Sequence, residues 1–223
     1  MTRRLLPVLL SVVAACASAN AASGPVPLPK VDAALAAKPG QATMVIAGGC
    51  FWGIQQVYQH VKGVIRATSG YSGGTPDTAH YEIVSTDTTG HAEAVEIIYD
   101  PSRVTYGQLL QVFFSVAHDP TELDKQGPDI GTQYRSVIFF ANPEQQKIAK
   151  AYISQLDQAK VFGRKIVTDV TPLRAFFPAE DYHQDYATIH PDEPYIAFYD
   201  APKLTALQRV LPQLYVATKA AAK

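Results

Sequence analysis

Cysteine is nearly missing from this sequence. Of its 223 residues only Cys16 and Cys50 are cysteines, and Cys16 falls in an N-terminal stretch unlike the rest. A folded part left with one cysteine has no internal disulfide framework. An excess of either charge is also missing: 19 Lys and Arg stand against 20 Asp and Glu, a net charge of −1. Without a basic stripe, nucleic acid is not an expected partner. The six histidines, His60, His80, His91, His118, His183 and His190, show no zinc spacing, and no H-E-x-x-H occurs, so no metal is expected. Gly48, Gly49 and Gly53 do not form a dinucleotide-binding G-x-G-x-x-G, because Cys50 takes the place of its second glycine. They do not form a nucleophile elbow either, since Trp52 stands where a glycine is needed. There is no internal repeat. The apolar run at residues 5–15 is too short to cross a bilayer as a permanent helix.

Residues 1–22 have the form of an export signal: Arg3 and Arg4, the apolar run, then small residues. Two readings stand side by side. Ala19-Asn20-Ala21 offers a small-x-small cleavage site. Val13-Ala14-Ala15-Cys16 offers a bacterial lipoprotein signal that ends before Cys16 and leaves that cysteine lipidated. Either way the protein is expected outside the cytoplasm, in a periplasm; a membrane anchor arises only through a lipid on Cys16. Residues 23–40 hold Pro25, Pro27, Pro29 and Pro39 among alanines and read as a linker with little core of its own. Residues 41–223 are the size of one domain and can bury a core. A monomer is expected.

Within that domain, residues 42–47 read as a buried strand that Gly48-Gly49 breaks. Ile54, Val57, Tyr58 and Val61 mark a helix that starts near Cys50 or Phe51 and ends by Gly63. Residues 69–75 look like a glycine-rich loop, and 91–99 alternate as a strand. Thr105 opens a helix with Gln108 as its capping-box partner. Residues 115–132 read as a long polar loop, 136–141 as a strand, and Asn142-Pro143 caps a helix running to about residue 160. Residues 165–171 read as a further strand. The interleaving predicts an α+β fold, a two-layer sandwich of a mixed sheet and packed helices around a ferredoxin-like core.

Cys50 sits where a strand meets a helix. The positive end of a helix stabilises a thiolate, so a thiol pKa below the free value is expected. A lone cysteine is more often an inert core residue, but glycines at 48, 49 and 53 strip side chains from around this one. Phe51 lies on the apolar stripe. Trp52 lies on the polar side with Gln55, Gln56 and Gln59, as either a pocket wall or a packed ring under a loop. Strand alternation groups Glu93 with Val95, Ile97 and Tyr99, so its carboxyl should be desolvated and hold a proton, as a general acid does. The competing reading is a strand-end glutamate that faces solvent or pairs with Arg103. Tyr81 and Tyr134 are placed at strand edges, where their hydroxyls could donate to a polar substrate atom.

Gly49-Cys50-Phe51-Trp52-Gly53 resembles the signature of the type A peptide methionine sulfoxide reductases. Gly70-Tyr71-Ser72-Gly73-Gly74, Tyr81, Gly90-His91-Ala92-Glu93, His118-Asp119-Pro120-Thr121, the block from Asp129 to Ser136 and the block from Ala179 to Tyr186 follow in that family's order. The resemblance spans nearly all of residues 45–215. It implies Cys50 as nucleophile and Glu93 as the acid facing a sulfoxide oxygen, with Tyr81 and Tyr134 as that oxygen's hydrogen-bond partners. It implies Phe51 and Trp52 as a pocket for the substrate's methyl group and Asp129 as a polar contact at the rim. The implied reaction is the thiol-dependent reduction of methionine S-sulfoxide, free or in oxidised proteins and peptides, with no cofactor. Two features depart from the pattern. Gln55 stands where a glutamate is usual, and no C-terminal cysteine is present. An external reductant, either a small thiol or a thioredoxin-like or glutaredoxin-like protein, must then restore Cys50. Two rivals remain: a cysteine hydrolase using His91 or His183 as base, and a binding module that holds a methionine-like side chain without chemistry.

Overall fold

The structure is a computed structural model that describes residues 24–222; both readings of the export signal, and Cys16 with them, lie outside the described residues. The sheet grows from its apolar runs. β1 (Ala42–Ala47) buries side chains on both faces, Met44 and Ile46 on one and Val45 and Ala47 on the other, which makes it a central strand. After α1 (Phe51–Gln59) come β2 (Val64–Ser72), the single turn α2 (Tyr81–Val84) and β3 (Ala92–Tyr99). α3 (Tyr106–Val112) starts at the reciprocal capping box of Thr105 and Gln108. The two-stranded β4 (Lys125–Gln126) and β5 (Asp129–Ile130) stand apart from the main sheet. β6 (Val137–Phe140), α4 (Pro143–Gln158, capped by Asn142), β7 (Asp169–Pro172), β8 (Phe177–Pro178), α5 (Tyr186–Ile189) and α6 (Ala201–Val210) complete the chain.

The sheet order is β7-β6-β1-β3-β2-β8, with β6 and β7 parallel and the other neighbours antiparallel. Its inner four strands, β6-β1-β3-β2, with α1 and α3 as the crossovers, are the split βαβ arrangement of a ferredoxin-like core. One main core joins α1, α3, α4 and α6 to one face of the sheet. The other face carries the small cluster Val45, Ala47, Ala92, Ala94, Val137 and Phe139, covered by Leu173 and Phe176 rather than by helices. The α+β sandwich with a mixed sheet is therefore the fold.

Three local expectations are corrected. Residues 69–72 are strand, the end of β2, not loop. Gly70 is glycine because a Cβ there would lie 2.3 Å from the Phe177 carbonyl, where β8 crosses. The helix from Thr105 runs on through a π-helical turn, Phe113–Ala117, so the loop begins at His118 and not at Ser115. β7 starts only at Asp169, because the backbone N–H groups of Ile166 and Val167 donate to Asp157 and to the Pro120 carbonyl instead of to a strand.

The proline-rich segment before β1 has no regular structure, yet it is fastened down. Val26 is fully buried in the main core; its N–H donates to Ser115 Oγ and its carbonyl accepts from Gln111 Nε2. Tyr152 donates to the Pro27 carbonyl, and Asp32 accepts the Gly107 N–H. Trimming this anchor leaves two methyl groups' worth of void, so Val26→Ala should cost about 2 kcal/mol. Thermal melting should fall by roughly 4–8 °C. An unchanged melting temperature would mean the arm does not hold the core through Val26.

Candidate active site

The strand-to-helix junction sets the nucleophile. Gly49 turns the chain at φ +100°, and Cys50, a residue 7% exposed, becomes the N-cap of α1. Gly53, one turn into the helix, is the seat of a second chain segment: a Cβ there would stand 2.1 Å from Asp200 Oδ1. Asp200 is fully buried and accepts a hydrogen bond from Lys203 Nζ at 2.9 Å. Any side chain at 53 would evict this ion pair from beside the cysteine.

Glu93 lies on the helix-covered face of β3, as alternation predicts, and Oε2 accepts the Phe51 N–H at 3.0 Å. Burial pushes its carboxyl up to about 8, against the pull of that N–H, so it carries a proton at neutral pH. It is not paired with Arg103. Tyr81 and Tyr134 come to the same place, both half-buried. Their hydroxyls are pushed up first by burial and then by the charges of Glu93 and Cys50. They are not at strand edges. Tyr81 is the first residue of α2, where its N–H donates to Glu180 Oε1. Tyr134 closes a single 3-10 turn, Thr132–Tyr134, which Arg135 ties to the carbonyls of Gly90, His91 and Thr132.

Aromatic rings wall the site. Trp52 is half-buried and stacks on Tyr186, ring centroids 3.9 Å apart and 15° from parallel, with Tyr195 edge-on at 6.1 Å. Its indole N–H donates to His183 Nδ1 at 3.1 Å. Phe51 is deeper, 1% exposed, and meets His183 at 5.0 Å and Tyr71 at 5.8 Å. Asp129 at the rim accepts the Tyr195 hydroxyl, and burial raises its carboxyl. Tyr186, Tyr195, Asp200 and Lys203 were not singled out from the sequence, and His183 was named only as a base for the rival hydrolase. Gln55 shows how they reach the site. Where the family pattern has glutamate, this buried amide donates to the Ala67 carbonyl and to Gln184 Oε1, and accepts the Asp185 N–H. It thereby ties the 184–185 segment to α1.

The expected low thiol pKa is overturned. Burial pushes the Cys50 thiol well above its ordinary value, and the carboxylates of Glu93 and Asp200 add to this; Lys203 and the Trp52 N–H pull the other way and lose. The helix end is a fraction of a charge, whereas desolvation acts on the whole thiolate. Cys50 and Glu93 are therefore best regarded as one titrating unit. When Glu93 holds a proton its push on the sulfur disappears, so the thiol ionises most easily beside a neutral Glu93.

On His91, His118 and His183 the ring nitrogen that could accept a proton is already engaged. His91 has Nδ1 on the Gly74 N–H and Nε2 on the Thr75 carbonyl. His118 is bonded to the Phe113 carbonyl and Ser136 Oγ, while His183 takes the indole N–H and turns Nε2 toward Glu180, 3.8 Å away. Among the described residues no group of three or more His, Cys, Asp and Glu is placed to hold a metal ion. What remains is an oxidisable sulfur facing a proton-bearing carboxyl and two phenols, the arrangement of a thiol oxidoreductase.

Similarity to known proteins narrows that class. Residues 42–213 match the family model described as peptide methionine sulfoxide reductase. The chain is 59% identical over 179 residues to peptide methionine sulfoxide reductase MsrA 2 of Mesorhizobium japonicum, covering 80% of this chain and 92% of that one. It is 52% identical over 165 residues to MsrA 2 of Synechocystis sp., covering 74% and 77%. Among solved structures, methionine sulfoxide reductase A of Corynebacterium diphtheriae is similar at 33% identity and a TM-score of 0.59, covering 80% of this chain and 92% of that one. Reduced Mxr1 of Saccharomyces cerevisiae is similar at 31% identity and a TM-score of 0.62, covering 74% and 92%. The chain belongs to the peptide methionine sulfoxide reductase family, type A.

Proposed function

We propose that Cys50 takes the oxygen from methionine S-sulfoxide, in polypeptides or as the free amino acid, and that an external thiol restores it. The observation that carries this reading is the buried, proton-bearing Glu93 held on the Phe51 N–H beside the cysteine. A sulfoxide sulfur becomes electrophilic when its oxygen is protonated. In the pose this site favours, the substrate's methyl group lies against Phe51 and Trp52, with Asp129 at the rim, and its oxygen points at Glu93, Tyr81 and Tyr134. Glu93 gives its proton to that oxygen and Cys50 sulfur attacks the sulfoxide sulfur. The S–O bond breaks and the OH passes to Cys50, leaving methionine and a cysteine sulfenic acid. Methionine sulfur gains two electrons and cysteine sulfur loses them, while the thiol's proton resets Glu93.

Residues 51–223 hold no second cysteine, which favours a one-cysteine cycle. One equivalent of thiol displaces water from the sulfenic acid and forms a mixed disulfide; a second releases the Cys50 thiol and the donor's disulfide. A thioredoxin-like or glutaredoxin-like protein or a small thiol has the required chemistry. Export rests on the pattern of residues 1–22, and the mass of the mature N-terminus decides between cleavage after Ala21 and a lipidated Cys16. Outside the cytoplasm, the role that follows is repair of oxidised exported proteins.

Stereochemistry tests the reading. Methyl pocket, oxygen donors and nucleophile lie in a fixed hand, and one enzyme type serves each epimer. With resolved epimers and dithiothreitol as donor, only the S form should be consumed. Equal loss of both, or preference for R, sinks the assignment.

A further inference from the structure

His183 takes part in no step of the reaction proposed above, yet it stands among three of the residues that carry it. It is 1% exposed, on the turn Asp181–His183. Its ring meets Phe51 edge-on at 5.0 Å and lies 4.6 Å from the ring of Tyr81. The Trp52 indole N–H, a group that can only donate, gives its hydrogen bond to His183 Nδ1 at 3.1 Å. Nδ1 is therefore the unprotonated nitrogen. The neutral ring carries its proton on Nε2, which turns toward Glu180 Oε2 at 3.8 Å. Glu180 is itself held, by the Tyr71 hydroxyl on Oε2 and the Tyr81 N–H on Oε1. Stacking on Tyr186, 15° from parallel, sets the plane of the indole but leaves it free to turn within that plane. The bond to Nδ1 stops that turn. A second proton on the imidazole would go to Nδ1 and set two donors face to face, so the bond exists only while His183 is neutral.

We propose that neutral His183 is a positioning residue, which pins Trp52 against the methyl group of the substrate and releases it when the imidazole takes up a proton. This rests on the reductase reading and adds to it the group that shapes the methyl pocket. The titratable groups facing the ring are Glu180 on its own segment, Tyr182 beside it and Tyr81 from α2. From α1 it meets the uncharged rings of Phe51 and Trp52. Burial pushes the imidazole down and the Glu180 carboxylate draws it partly back, so release falls below the ordinary histidine value of about 6.5. His80 also lies 4.0 Å from Glu180, and it stays in place in every variant below. Contact with the methyl group is the same before and during attack on the sulfur. Losing it therefore raises KM and leaves kcat nearly unchanged.

Trp52 is the one tryptophan of the sequence, so tryptophan emission reports this contact alone. Without substrate, the wild-type emission maximum should shift to the red in one step as pH falls from about 8 to about 4.5, centred below about 6.5. Over the same range KM for N-acetylmethionine S-sulfoxide amide, with saturating dithiothreitol, should rise about tenfold, the equivalent of ~1.4 kcal/mol and of one lost hydrogen bond. The kcat should stay within about twofold. His183→Leu has no acceptor and should show the high KM at every pH. His183→Asn offers Oδ1 in the place of Nδ1 and takes up no proton, so it should keep the low KM and the unshifted emission throughout. A wild-type emission that does not move overturns the proposal. An acid rise in KM that survives in His183→Asn also overturns it, because the rise then belongs to another group such as Asp129. So does wild-type KM in His183→Leu, or an Asn variant that binds no better than the Leu one. Should His183→Leu not fold, the wild-type and His183→Asn measurements decide on their own. If wild type reduced no N-acetylmethionine S-sulfoxide amide at any pH, the reductase reading itself would fall, whereas the emission step would remain.

Discussion

Cys50→Ser is expected to bring reduction of methionine sulfoxide to no more than about one-thousandth of the wild-type rate, the scale on which covalent enzymes lose activity with their nucleophile. A serine hydroxyl at this N-cap is a poor nucleophile, because the accepting ring nitrogens of His91, His118 and His183 are already engaged. It also cannot accept oxygen in the way sulfur does. The substitution is nearly isosteric, so the aromatic wall and the Glu93 bond to the Phe51 N–H should persist and the variant should still bind substrate. Steady-state assays with each epimer, together with binding of the S-sulfoxide by calorimetry, separate the losses. A serine variant that turns over would overturn the nucleophile assignment. Wild type that binds and never turns over would favour a binding module.

Glu93→Ala should lower kcat on the order of a hundredfold, the usual loss when one preorganised donor to a developing charge is removed. Glu93→Gln should retain more, since the amide can still donate to the sulfoxide oxygen. The pH dependence has a definite sign. The carboxyl is pushed up to about 8 by burial, so its donor form is present below that pH and lost above it. Wild-type kcat should fall on the alkaline side of about 8, and this fall should be absent in Glu93→Gln. Stability follows the same group. A carboxyl whose folded pKa is raised binds more protons folded than unfolded between its free value of about 4.3 and about 8, so wild type loses stability as pH rises through that window. Glu93→Gln should gain on wild type in melting temperature as pH goes from 5 to 8. Above about pH 8, where Glu93 is ionised in wild type, it should also alkylate faster at Cys50, because the carboxylate that there adds to burial in keeping the thiol protonated is gone. Wild-type kcat in Glu93→Ala would remove the acid from the mechanism.

What could be read from the sequence was what depends on neighbours in the chain. β1, the Thr105–Gln108 capping box and the Asn142-Pro143 start of α4 are short-range patterns, and each appears in the structure. Glu93 could be placed on the covered face because strand alternation is strict. The end of β2 could not be read, because glycine at 70 signals a loop locally, while its actual reason, the passage of Phe177, lies more than a hundred residues away. Tyr81 and Tyr134 read as strand-edge residues; they sit instead on single helical turns brought together by the tertiary fold. The C-terminal side of the site was hidden for the same reason. His183 reaches Trp52 across 131 residues, and the Asp200–Lys203 pair reads locally as an ordinary helix start with Pro202 inside it. The thiol was misjudged because the helix end is visible in sequence, whereas the burial and the two carboxylates that outweigh it are not.

A single turnover tests the central claim most directly. Mature, fully reduced protein is mixed with one equivalent of methionine S-sulfoxide, without reductant, then treated with dimedone and digested for mass spectrometry. The account predicts one methionine released per protein and one dimedone adduct, on Cys50. Release of no methionine, or Cys50 recovered unmodified or in an intrachain disulfide, would contradict it.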